Sequence, residues 1–221
     1  MASPIVNATV QATILSIISN LLAQAITAHQ SNTPLKIDWI TVFQYSFFAL
    51  ISTPPNFRWQ GYLESTWPAF PSSSSSSSKQ NGSSEKDKST STPKLSWPNT
   101  LKKLLLDQTL GCALNNLAFG LYIHSFRQAA AHHYSSSSSS SSSAPASVLA
   151  DFLRPSAVSW DQTWAQACAD LLPLMTASWK FWPWVALGNF VFLTSIEART
   201  LAGALAGLAW GVYLSLATAA A

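Results

Sequence analysis

Apolar residues fall into five long runs separated by polar tracts, and most of the runs carry an ordered minority of polar positions. Residues 5–28 contain neither charge nor proline and have the roughly 20-residue length that a bilayer core asks of a helix. Within this run Thr9, Thr13, Ser16, Asn20, Gln24 and Thr27 recur at spacings of three and four. At about 100° per residue they share one side of a helix, with Ile14, Ile18, Leu21 and Leu22 opposite. The pattern predicts a helix with one face for lipid and an uncharged amide and hydroxyl face for other helices or confined water. Residues 39–53 form a second apolar, aromatic run, which reaches bilayer length over 37–57 and has Trp39 and Trp59 near its ends, where interfacial aromatics sit. Residues 101–127 give a third, in which Gln108, Asn115 and Tyr122 are spaced by seven.

The C-terminal part behaves differently. Residues 147–174 scatter Asp151, Arg154, Asp161 and Asp170 among leucines and tryptophans, which predicts amphipathic helices at the interface rather than a span. Two apolar pieces follow, 181–196 and 200–217, too long together for one straight span. Either a break near Thr194 to Arg199 makes two helices or the first piece kinks at Pro183. Glu197 and Arg199 put charge at that junction. Gly203, Gly207 and Gly211 lie four apart in the last piece, a stripe that allows close packing of helices in lipid, within the chain or between copies.

Between the runs, periodicity vanishes. Residues 68–100 hold a run of serines at 72–78, alternating charge in Glu85 to Lys88, and four prolines, and a second serine run occupies 135–143. Such composition cannot bury enough surface to fold. The expected organisation is a single membrane domain over 1–221 with disordered inserts at about 68–100 and 132–146. The fold class is all-α, an integral membrane helical bundle of about four spans (5–28, 37–57, 101–124 and the C-terminal region) plus interfacial amphipathic helices. A fifth span, if the last two apolar pieces cross separately, stays open.

Composition sharpens this reading. Charged residues make up 10% of the chain, against about 25% in ordinary soluble domains. Seven of the twelve Lys and Arg residues lie between 54 and 103, which reads as a topology signal and not as a nucleic-acid surface, because no basic helix accompanies them. Cys112 and Cys168 sit in helical segments, which argues against a disulfide framework. The N-terminal segment lacks the basic or arginine-rich pattern of a cleaved leader, so an internal address is expected. His132 and His133 have no ligand-spaced Cys or carboxylates beside them, so no metal or other cofactor is expected. No phosphate-binding glycine loop and no nucleophile elbow is present, and the expectation is a non-enzymatic protein.

Several stretches carry a resemblance. Trp179, Trp182, Pro183, Asn189, Phe190 and Arg199, followed by Trp210, Tyr213, Leu214 and Ser215, resemble the C-terminal signature of the Mpv and peroxisomal membrane protein family. Pro54, Trp59, Leu63 and Glu64 resemble its motif after the second helix, and Asp107 with Gln108 the pair that opens its third. The chain departs from the pattern at Ala113, Ala186 and Thr194. The resemblance implies a four-span protein of the peroxisomal membrane, or alternatively of the mitochondrial inner membrane, some of whose relatives form weakly selective channels.

The functional expectation joins these threads. Small hydrophilic solutes would pass along a path lined by Thr13, Asn20, Gln24, Gln108, Asn115 and Asn189. Charged residues in apolar runs, Arg58, Asp107, Glu197 and Arg199, either line or gate that path or make interhelical ion pairs. The expected partners are the lipid bilayer, small solutes and further copies of the chain as a homo-oligomer, not nucleic acid. The alternative is a structural or sorting protein that self-associates through the glycine stripe.

Overall fold

In the computed structural model, residues 3–71, 95–136 and 158–219 are described, with side chains omitted over 132–136, at 211 and over 213–219. These residues form helices α1 (Pro4–Gln30), α2 (Trp39–Thr66), α3 (Trp97–Leu106), α4 (Cys112–Ser136), α5 (Trp160–Ser178), α6 (Trp182–Phe192) and α7 (Ile196–Ala219). A single π-helical turn, Asp107–Gly111, joins α3 to α4 without a break. The all-helical expectation holds among the described residues. By length and composition, α1 is the one helix among them apolar enough to cross a membrane.

Local chemistry accounts for the boundaries. Pro4 opens α1 at a position where its missing N–H costs nothing. At the other end Asn32 adopts a left-handed φ of 50°, and the N–H groups of Asn32 and Thr33 return to the carbonyls of His29 and Ala28, closing the helix. Asp38 caps α2, its Oδ1 accepting the N–H groups of Ile40 and Thr41. The Gln24 amide then clips the two helices together. Its Oε1 accepts Asp38 N–H at 2.7 Å and its Nε2 donates to Asp38 O at 3.2 Å and to Asn20 Oδ1 at 2.8 Å.

α2 runs past the expected end near residue 57, through Pro54 and Pro55, to Thr66. Each proline deprives a carbonyl one turn earlier of its donor. The Thr53 hydroxyl, donating to Ala49 O at 2.6 Å, supplies a side-chain bond beside that gap. α3 likewise starts at Trp97, inside the stretch expected to be unstructured, with Pro98 in its first turn. The serine runs at 72–78 and 137–143 lie outside the described residues, as do 147–157. Of the predicted interfacial region, α5 is therefore the part on view. Its Trp160, Trp164 and Leu172 are exposed, and its Thr163 and Ala167 are buried.

At the C-terminal end the break is real. The chain is extended at Leu193, and α6 and α7 are separate helices. At 11 residues α6 is about 16 Å long, too short to cross a bilayer.

α1 lies against α2 and α7, while α4 lies against α5. α2 and α4 meet through aromatic rings, with Phe43, Phe47 and Phe48 packed on Tyr122 and Phe126. The Tyr122 hydroxyl donates to Gln44 O at 2.8 Å. On α1, Ile14, Ile18 and Leu22 face outward at 50%, 46% and 41% exposure, the lipid side that the pattern assigned to them.

Candidate functional site

The C-terminal end of α2 lies antiparallel to α3 and the π-turn, so that Glu64 pairs with Lys103 while Trp59 and Gln60 pair with Asp107. α6 and the first turn of α7 complete the site. Glu64 Oε2 is 2.6 Å from Lys103 Nζ and 2.6 Å from Arg199 Nη1, and Glu64 Oε1 accepts the Ala69 N–H at 2.9 Å. Arg199 Nε donates to Leu193 O at 2.9 Å, which ties the cluster to the break before α7. Both cations are withdrawn from solvent, with Lys103 0% and Arg199 2% exposed. They share the face of Phe190, whose ring centroid lies 4.8 Å from Lys103 Nζ and 5.4 Å from Arg199 Cζ. Leu63 and Ala186 pack on Phe190 from beside the charges. Burial pushes the Glu64 carboxyl up, but hydrogen bonds from Lys103, Ala69 N–H and Arg199, with the Arg199 charge, outweigh it and hold the group below its ordinary value.

One helical turn along, Asp107 Oδ1 accepts Trp59 Nε1–H and the Gln60 amide, each at 3.0 Å, and Oδ2 accepts the Gln108 amide at 3.1 Å. The π-turn begins at this aspartate. Gly111 at its end is required, because a Cβ there would come within 2.9 Å of Trp59 Nε1. Trp179 Nε1 donates to Gln108 O at 2.8 Å, fastening the segment before α6 to the same turn. π-turns inside α-helices mark functional positions often enough to draw attention to this one.

Three buried side-chain atoms have no protein partner among the described residues: Gln44 Nε2, Gln108 Oε1 and Arg199 Nη2. Such atoms are rare inside proteins and are ordinarily met by water or a ligand.

The predicted path residues do not form one lining. Thr13 donates to Thr9 O, Asn20 and Gln24 belong to the clip at Asp38, and Asn115 is exposed. Gln108 is bonded to Asp107, and Asn189 Nδ2 reaches Arg199 O at 3.4 Å. Gln108 and Asn189 thus sit in or beside the charge cluster, and the α1 residues elsewhere. The signature positions Trp59, Leu63, Glu64, Asp107, Phe190 and Arg199, from four separate stretches, do converge. Trp182 packs edge-on against Phe181, which stacks on Trp210, while the Tyr213 side chain lies outside the described set.

Arg199 pairs with Glu64 across the bundle, an interhelical ion pair of the kind expected as one of two roles for the charged residues, whereas Glu197 and Arg58 are exposed. A Cβ on Gly203 would meet nothing within 4 Å and one on Gly207 only the far edge of Trp182 at 4.0 Å, so these two members of the stripe pack closely against no backbone of another helix among the described residues. The close approach is at Gly120, where a Cβ would lie 3.1 Å and 3.2 Å from the Ala167 Cβ and Cα. Lys103, counted in the sequence with the loop charges, belongs to the core. Its position one turn before Asp107 on an apolar helix is the signal that could have shown it.

A model of the Mpv17 / PMP22 family matches residues 156–215, which hold α5, α6 and most of α7. The PXMP2/4 family protein 3 of Dictyostelium discoideum is 51% identical over 47 residues, 21% of this chain and 25% of that protein. The chain thus matches a quarter of the length of that relative. No solved structure matches the chain.

Proposed function

We propose that the chain, whose residues 156–215 match the Mpv17 / PMP22 family, is a member of that family of organelle membrane proteins and forms a weakly selective path for small hydrophilic solutes through an organelle membrane. The bundle crosses the bilayer about four times, at 5–28, 37–57, 101–124 and in the C-terminal region, with the end of α2 and its Glu64 standing beyond the hydrocarbon. The membrane is the peroxisomal one, ahead of the mitochondrial inner membrane. The protein does no chemistry on its solutes.

The observation that carries this reading is the set of buried, unpartnered polar atoms on Gln44, Gln108 and Arg199. In an apolar bundle each such atom costs about 1–3 kcal/mol unless something polar meets it. A hydrated interior that admits solutes meets them. The test is conductance of the purified protein in planar bilayers, where Gln108→Leu should alter it. Folded protein that leaves the bilayer silent overturns the reading. Imaging a tagged protein against markers of both organelles decides the compartment.

The open face at Gly203 and Gly207 favours a second reading, a structural or sorting protein that associates with its own copies. There Gly207→Leu disperses a crosslinked oligomer, and an unchanged oligomer counts against it.

A further inference from the structure

α5 runs antiparallel along α4 for the whole of its length. Trp179 Nε1, just past its C-terminal end, donates to Gln108 O; Ala167, near its middle, packs on Gly120; and Ser159 N–H, at its start, donates to Gln128 Oε1. From Gln108 to Gln128 on one helix, and from Ser159 to Trp179 on the other, is about 30 Å of axis. That is the thickness of a bilayer core. A helix lying in the plane of the interface would cross a spanning neighbour steeply and touch it over a turn or two, which α5 does not.

The ends of α5 stand at the same levels as those of α2. Trp59 Nε1 donates to Asp107 Oδ1 and Trp179 Nε1 to Gln108 O, so these two indoles share a level. At the other end Tyr122 bonds to Gln44 O. Because α2 and α4 are antiparallel, Trp39 then falls opposite Arg127, within a turn of the Gln128 contact with Ser159 and hence of Trp160. Trp39 and Trp59 thus bracket α2 as Trp160 and Trp179 bracket α5. Trp39, Trp160 and Trp179 are exposed, as tryptophans at a membrane–water boundary are.

The composition of α5 reads as interfacial because its polar residues crowd one end. Asp161 and Gln162 adjoin Trp160 at the boundary, and Gln162 and Gln166 line a groove with Arg127 and Gln128 at that same end. From Ala167 to Ala177 the polar side chains, besides the Cys168 thiol, are Asp170 and Thr176. Asp170 Oδ2 lies 2.8 Å from His124 Nε2, and the Thr176 hydroxyl donates to Leu172 O at 3.0 Å, so neither enters the bilayer unpartnered. Trp164, Cys168 and Leu172 recur at four and are exposed.

We propose that α5 crosses the bilayer beside α4, adding a crossing to those above, and that its outward stripe of Trp164, Cys168 and Leu172 faces lipid acyl chains. The proposal rests on the crossing at 37–57. The equal levels of the tryptophan pairs specify lipid as the occupant, since contact with a second copy sets no such spacing.

Cys112 and Cys168 are the two cysteines of the chain, so Cys112→Ser leaves one thiol, on the outward stripe. The full-length Cys112→Ser chain is labelled at Cys168 with a nitroxide in detergent and reconstituted in phosphatidylcholine vesicles. Electron paramagnetic resonance then reads collisions with oxygen, which concentrates among acyl chains, and with a water-soluble nickel chelate, which does not. Leu50→Cys on α2 and Ser31→Cys in the turn after α1, both exposed positions, give the lipid and water references in a chain lacking the native thiols. Cys168 should match Leu50→Cys, with oxygen collisions several-fold above nickel collisions and the order reversed at Ser31→Cys. Nickel access at Cys168 beside a dry Leu50→Cys overturns the proposal while the 37–57 crossing stands. Nickel access at both overturns the proposal and that crossing together. Few collisions with either reagent at Cys168 mean that protein covers the stripe, which overturns lipid as the occupant. Leu172→Cys without the native thiols repeats the reading should circular dichroism find that a label at Cys168 disturbs the fold.

Discussion

Glu64 is the residue whose loss the fold should feel most, and the size of the effect follows from what it leaves behind. It is one carboxylate shared by two cations at 2.6 Å each, and those cations are 0% and 2% exposed. Breaking a buried pair by removing one partner costs about 3–5 kcal/mol, mainly because the other charge is left uncompensated. Three features reduce the figure here. The Glu64 side chain is 23% exposed, so water reaches part of the site; the Phe190 face still attracts both cations; and Glu64→Gln keeps an acceptor oxygen. The expectation for Glu64→Gln is a loss of about 3 kcal/mol. Lys103→Met should differ sharply, because Glu64 keeps Arg199 and the Ala69 N–H and the methionine refills the volume, so the change stays within about 1 kcal/mol of wild type. The double variant recovers part of the Glu64→Gln loss, with a coupling of about 1 kcal/mol or more. Denaturation of the micellar protein followed by far-ultraviolet circular dichroism measures all three. Equal costs for the two single variants, or a Glu64→Gln cost below about 1 kcal/mol, would refute the view that buried cations dominate the site.

The same carboxylate sets an acid limit. Its folded-state pKa is depressed, so its contribution is complete above the unfolded value of 4.5 and is lost as pH falls through the lower folded value. Stability should drop below about pH 4.5 in wild type, and Glu64→Gln should flatten that limb in the same denaturation series. At the α4–α5 contact, Gly120→Val has no room beside Ala167 and should cost about 1–3 kcal/mol, whereas Gly203→Val, where a Cβ meets nothing and helix propensity favours the change, should be neutral or slightly stabilising; thermal melts of the two compare them directly. Asp38→Ala removes the cap of α2 and should cost about 1 kcal/mol, with earlier hydrogen exchange at Ile40 and Thr41 as the local sign.

Much of this architecture was legible because it is local. The uncharged run at 5–28 announced α1 almost to its ends, and the charged junction after Thr194 announced a break that the structure puts at Leu193–Ser195. The end of α2 was misplaced, since bilayer length suggested a stop near residue 57 whereas the helix continues to Thr66, where Glu64 and Leu63 pack against α3 and α6, a tertiary matter. The charge cluster was half visible. Glu64, Asp107 and Arg199 stood out one at a time, but no local pattern joins positions 64, 103 and 199, because their pairing is fixed by how α2, α3 and α7 pack. The polar stripe of α1 was read correctly as a face and less fully as a function. Nothing in its spacing distinguishes a lining from the clip that Asn20 and Gln24 make at Asp38.

The π-turn at Asp107–Gly111 has a consequence for the whole rod from Trp97 to Ser136. It holds one residue more than an α-turn would, and so acts as a phase setter between two halves that meet different parts of the bundle. Lys103 and Asp107 upstream mesh with the C-terminal end of α2, and Gly120 and Tyr122 downstream mesh with Ala167 of α5 and with Gln44 in the N-terminal half of α2. Delete a single residue from the turn and the downstream half rotates by about 100° and slides by about 1.5 Å. The upstream contacts would keep their register while Gly120 and Tyr122 swung away from theirs. The length of this one turn is therefore the gear ratio by which the ion cluster and the α4–α5 pair are kept in step.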